Sequence, residues 1–181
     1  TMRAHMLDMF ASGPLGIADA EDSSPLIRRY PWYDISNIAP IPSFFPFGDT
    51  PAYRGGIRAT LFGGDHFMLT KHPLIRIGSG VDAFTESEHW VKQAQIADVT
   101  GVLLHFKFTE NFLAKVHEAV ERGQYWNEST EYKLYAEVLS REPSLVFKRE
   151  GARKWTNATD LVEQGFLEMS DTYRQHAGSG V

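Results

Sequence analysis

The stretch that most constrains this chain is Gly101 to Phe108, followed by residues 109–122 at helical spacing. Val102, Leu103, Leu104 and Phe106 form an apolar run too short for a helix, and Gly101 bounds it, so the pattern predicts a buried core strand. His105 and Lys107 stand two apart. In a strand they share one face, with Leu104, Phe106 and Phe108 on the other. A buried cation without a partner is costly, so that face is expected to meet water, a counter-ion or a ligand at the strand's carboxyl end. Thr109 reads as an N-cap, with Glu110 in the first turn where the helix dipole favours negative charge. Phe112, Val116, Ala119 and Val120 give the helix an apolar face, and Gly123 stops it after Arg122.

Before this unit the chain is less regular. Residues 4–10 suit a strand end or a short helix, and Ser12-Gly13-Pro14 forces a turn. The acidic run Asp19 to Asp22 reads as a solvated loop or a first helical turn, because no apolar strand flanks it. Residues 30–53 interleave five prolines with Trp32, Tyr33, Phe44, Phe45 and Phe47, which predicts a long aromatic loop serving as a lid, a binding loop or a connector. Arg54-Gly-Gly-Ile-Arg58 leads into a predicted strand over 57–62, and Gly63-Gly64-Asp65 reads as a hairpin turn into residues 66–70. Gly55 and Gly56 permit unusual dihedral angles or a close approach to a ligand. Arg54 and Arg58 beside them suit a diphosphate or carboxylate; the alternative is a plain turn with surface arginines.

A strand is predicted over 71–77, and Glu86, Glu88 and His89 cluster before Trp90. Beyond Gly123, Tyr132, Tyr135, Val138 and Leu139 trace one face of a helix over 128–139, which Pro143 closes. Residues 144–148 read as a short strand or extended segment, and Asn157 or Thr159 as the cap of a helix over 160–164. With 181 residues and no internal shift of composition, the chain suits a single domain.

Charge and composition remove several classes of function. A net charge of -5 without a basic stripe argues against nucleic acid. The absence of cysteine excludes disulfides and thiolate metal sites, and fits a reducing compartment. No run approaches the roughly 20 apolar residues of a spanning helix.

Gly101-Val-Leu-Leu-His-Phe-Lys-Phe108, with Phe112, Glu121-Arg122 and Glu131-Tyr-Lys-Leu-Tyr135, resembles the carboxyl-terminal half of a bacterial family 2 glycosyltransferase of the GT-A type. Leu7-Asp-Met-Phe10, Tyr33-Asp34, Arg54 to Arg58 with Phe62, Thr70-Lys-His-Pro-Leu74 and Glu88-His89 resemble the same family in the same order. The resemblance implies an α/β fold, a partial Rossmann-like nucleotide-sugar domain whose mixed sheet carries flanking helices. It also implies a donor-binding half with an Asp-x-Asp motif preceding Leu7, so the chain reads as the acceptor side of a longer enzyme.

The implied reaction is inverting transfer of a sugar from a nucleotide-diphosphate donor to a glycan or other hydroxyl acceptor, in the cytoplasm or at the inner face of the membrane. It implies a divalent Mg or Mn with His105 as an imidazole ligand, and Arg54, Gly55, Gly56, Arg58, Lys71, His89 and Lys107 as substrate-binding residues. Asp65, Glu86 and Glu88 are the candidate proton acceptors, and Asp65 and Glu88 are taken as the catalytic pair of choices.

Two rival readings stand beside this one. A metal-dependent hydrolase built from His66, His72, His89 and His105 with Asp65 lacks the tight histidine spacing such sites use. A carbohydrate-binding or interaction module without catalysis would use the aromatic loop and needs no catalytic carboxylate.

Overall fold

The computed structural model describes residues 1–16, 22–41, 52–64, 67–76, 89–92 and 94–178. In order these form β1 (Met2–Asp8), α1 (Leu26–Arg29), β2 (Trp32–Tyr33), β3 (Ile38–Ile41), β4 (Ala52–Gly55), α2 (Gly56–Phe62), β5 (Thr70–Leu74), β6 (Thr100–His105), α3 (Phe112–Arg122), α4 (Trp126–Arg141), β7 (Arg153–Lys154), α5 (Thr159–Glu163) and α6 (Asp171–Gly178). The protein is mixed α/β, with a mixed sheet and flanking helices.

The main sheet has the order β5-β1-β6. β1 runs antiparallel to β5 and parallel to β6, and the parallel register ends with Asp8 opposite His105. The central strand is therefore β1, not the 101–105 segment, and β6 is only half-buried at the sheet's edge among the described residues. Residues 3–8 are buried on both faces, which explains why they read ambiguously: a doubly covered strand loses the alternation that marks a half-exposed one.

Among the described residues, buried apolar side chains divide between two clusters. Phe10, Ile57, Phe62, Phe67, Phe108, Phe112, Val116, Tyr135 and Phe147 pack between α2, α3 and α4. Leu7, Met9, Tyr30, Tyr33, Leu161 and Phe166 form the second, against which Val102, Leu104 and Phe106 lie. Strand alternation holds through Phe106. Phe108 departs from it, entering the first cluster because the chain has left β6 and turned.

Several expected elements differ. Residues 57–62 are helical: Ile57, Arg58 and Phe62 are buried together at helical spacing, whereas a strand would have aligned Ile57, Ala59 and Leu61. The 30–53 segment is not a continuous loop, since β2 and β3 lie within it, the latter pairing β4. α3 begins after Asn111 rather than Thr109, and Thr109 instead accepts the Phe112 amide through its carbonyl at 3.0 Å. Gly123 ends α3 in the left-handed region at φ 60°. Residues 144–148 are not a strand; Val146 makes one isolated bridge to Pro14. Asn157 does cap α5, its Oδ1 accepting the Thr159 amide at 2.8 Å.

Candidate functional site

β1 and β6 deliver Asp8 and His105 side by side at the carboxyl ends of parallel strands. In open α/β sheets that end is where ligands bind, because the chain leaves the sheet there and exposes strand termini. Asp8 is 5% exposed, and each of its oxygens is engaged. Oδ1 lies 2.6 Å from His105 Nδ1, and Oδ2 accepts from Arg58 Nε at 2.8 Å. A carboxylate at Nδ1 fixes the ring so that Nε2 is presented as the free nitrogen. Burial opposes charge on Asp8, but Arg58 and the hydrogen bond from His105 outweigh it and hold the carboxyl below its ordinary range.

Arg58 comes from α2, and its burial follows from that short helix packing over β1. Its guanidinium lies over the Phe67 ring, 5.2 Å from the centroid, and Nη1 is 3.5 Å from Glu131 Oε1. Nη2 is shielded from solvent and has no hydrogen-bond acceptor among the described residues. Burial works against the cation, yet Asp8 and Glu131 hold it firmly protonated.

Glu131, on α4, is the hub of the other half. The same oxygen that meets Arg58 accepts from Lys107 Nζ and from the Tyr135 hydroxyl. Lys107 also sits 4.9 Å from the ring centroids of both Tyr132 and Tyr135. Burial lowers the Lys107 pKa despite the opposing pull of Glu131. Burial also resists charge on Glu131, but Lys107 and the Tyr135 hydroxyl hold its carboxyl below its usual value. Burial and the adjacent Glu131 push the Tyr135 phenol upward, so it remains a hydrogen-bond donor. Two carboxylates thus face two fixed cations. The formal charges of those four groups cancel.

Glu131 reaches this position from an unusual approach. Asn127, Glu128 and Ser129 all have positive φ, at 49°, 53° and 62°, forming one left-handed turn within α4. Ser129 is fully buried there, and its Oγ accepts the Tyr125 amide at 3.3 Å.

Of the residues singled out from sequence, Arg58, His105 and Lys107 come together. The amides of Gly55 and Gly56 are already engaged: they donate to the Phe67 and Asn37 carbonyls at 3.0 and 2.7 Å. Their role is conformational, since both have positive φ, and a Cβ on Gly55 would stand 2.3 Å from the Asn37 oxygen. Arg54 lies on β4 opposite Ala39, outside the cluster. Lys71 pairs with Ala4, four residues before Asp8, which places it roughly 13 Å away along the sheet. His89 is bound there too, with Nδ1 2.7 Å from the Thr70 carbonyl oxygen. Asp65, His66, Glu86 and Glu88 lie outside the described residues.

Sequence reasoning missed Asp8, Glu131 and Tyr135 as members of the site. The signals were a carboxylate closing the apolar run Met6-Leu7, and a Glu and Tyr at i, i+4 on one helical face.

Could these residues hold a divalent cation? Asp8 has both oxygens engaged by side chains, so it serves as the carboxylate behind a histidine rather than as a free ligand. His105 offers Nε2, and its side chain is 34% exposed. That fits one ligand position. Among the described residues no group of three metal-ligating side chains occurs.

Together these features define a mixed α/β protein with a buried ion-pair cluster at the carboxyl end of a parallel strand pair. No family model, curated protein or solved structure matches the chain. Among the described residues no helix is long and apolar enough to cross a membrane.

Proposed function

We propose that this chain is the acceptor-side part of a GT-A type glycosyltransferase of family 2, transferring a sugar with inversion from a nucleotide-diphosphate donor to a hydroxyl acceptor. The observation that carries the reading is the Asp8–His105 pair, which aims an oriented imidazole outward at the carboxyl ends of adjacent parallel strands. The motif resemblance of residues 101–108 and 131–135 supports it.

In this reading His105 Nε2 would hold the divalent Mg or Mn, which when bound supplies Lewis-acid stabilisation of the departing diphosphate. Asp8 fixes the ring for that task, and Lys107, tethered through Glu131, lies on the same edge to meet the growing negative charge. Arg58 anchors both carboxylates and thereby positions both halves of the site. The proton acceptor is assigned to Asp65 or Glu88 from the sequence. The same resemblance implies chemistry in the cytoplasm or at the inner face of the membrane.

The test is calorimetric titration with uridine or guanosine diphosphate sugars, with and without manganese, using the chain together with any residues encoded upstream. Manganese-dependent nucleotide binding that His105→Ala weakens by at least about tenfold supports the proposal. Binding of a glycan alone, or nucleotide binding indifferent to manganese and to His105, overturns it in favour of a carbohydrate-binding module.

A further inference from the structure

The sheet β5-β1-β6 has two outer edges, and the sequence treats them differently. β5 carries features that discourage a further strand. Lys71 and Pro73 lie within it, and its register with β1 shifts between Met2 and Ala4. Just before it, the Leu69 amide donates to the Tyr53 carbonyl of β4 at 2.8 Å. β6 has none of these protections. Thr100–His105 contains no proline, lysine or acidic residue, and it runs in unbroken register against residues 3–8.

Backbone direction shows which groups of β6 are unused. The His105 carbonyl accepts from the Met9 amide at 3.0 Å, so the odd-numbered residues of β6 turn their amides and carbonyls toward β1. The Thr100 amide donates to the Glu168 carbonyl at 2.9 Å on the far side, so the even-numbered residues turn theirs outward. Val102 and Leu104 therefore face outward, and their amides and carbonyls have no hydrogen-bond partner among the described residues. Their side chains pack on the second apolar cluster, yet both residues stay half-buried. Unmet donors and acceptors along an apolar strand are a template for one more strand.

Two copies of β6 satisfy that template in each other. With a two-fold axis at Leu103, antiparallel pairing sets Val102 against Leu104 of the second copy, and each such pair exchanges both backbone hydrogen bonds. Leu103 meets its own counterpart between them. His105 falls opposite Gly101, which has no side chain, so no like charges meet along the strand. Centred on Val102, the pairing would set Leu104 against Thr100, whose amide is already taken. Centred on Leu104, it would set His105 against Leu103.

We propose that the outer edge of β6 is a self-association surface, through which two copies of this chain join their three-stranded sheets into one. The assignment is independent of the transferase reading.

Hydrogen exchange read by NMR on the wild-type chain at about 20 µM and about 1 mM tests it, with sedimentation velocity alongside. A single strand pair is a small interface, so a dimer with a Kd of about 10–100 µM is expected. At the higher concentration the Val102 and Leu104 amides should exchange at least about threefold more slowly, while those of Gly101 and Leu103, turned toward β1, hold constant. V102P removes one outward donor and leaves the β1 ladder whole; L103K sets two ammonium groups face to face. Each should raise the dimer Kd at least about tenfold, and mixing L103K with L103E should restore association. The proposal is overturned if the wild-type chain stays monomeric at about 1 mM, which leaves the edge to a foreign strand. It is equally overturned if a dimer forms while the Val102 and Leu104 amides exchange unchanged, or if folded V102P associates as wild type does.

Discussion

Asp8 Oδ2 stands 2.8 Å from Arg58 Nε, and the two side chains are 3% and 5% exposed. Ion pairs this deep are costly to break from one side, because the surviving charge stays buried without its counterpart. Asp8→Ala is expected to destabilise the fold by about 3–5 kcal/mol in urea unfolding, whereas the double change to Asp8→Leu with Arg58→Met should recover most of it. Equal loss in single and double variants would show that Arg58 finds compensation elsewhere.

His5 supplies a pH dependence of its own. It is 1% exposed on β1, with Nδ1 3.2 Å from the Thr70 hydroxyl and its ring 4.5 Å from Tyr53. Burial, then the nearby Arg3 and His72, lower its pKa from 6.5 to about 3. The unfolded chain therefore takes up a proton below pH 6.5 that the folded chain refuses until about pH 3, so stability falls as pH drops through that window. The full loss is roughly 5 kcal/mol at the acid limit. Between pH 6 and 5, where ordinary carboxylates are still ionised, His5→Gln should flatten the slope of unfolding free energy against pH. An unaltered slope would assign it to another group.

The left-handed turn at 127–129 offers a stabilising change. L-residues in that region cost roughly 1 kcal/mol each, and glycine does not. Glu128 has φ 53° and ψ 39°, and its side chain is exposed. Glu128→Gly is expected to raise stability by about 1 kcal/mol, read as a higher thermal midpoint. A lower midpoint would mean that the turn is supported by contacts of the Glu128 side chain.

The pairing of His105 with Lys107 on one side of the β6 segment was legible from a two-residue spacing, and α3 and α4 from their apolar periodicity. What joins the site together was not. Asp8 lies 97 residues from His105, and Arg58 lies 73 from Glu131; no local pattern carries such partners. The strand expected at 57–62 failed for a related reason. Six residues with mixed burial fit either period, and the deciding fact, Arg58 facing inward to Asp8, is tertiary. Gly55 and Gly56 were read correctly as special backbone positions, but their surroundings assign them to a turn against Asn37 rather than to an anion.

The placement of β1 between β5 and β6 sets a schedule for assembly. During synthesis, at about 5–20 residues per second, Met2–Asp8 waits seconds for its antiparallel neighbour and longer for its parallel one. Throughout that interval a strand destined for full enclosure has bare edges and an oily surface, so nascent copies at high concentration are prone to pair with one another, and β6 is the segment whose arrival ends the hazard.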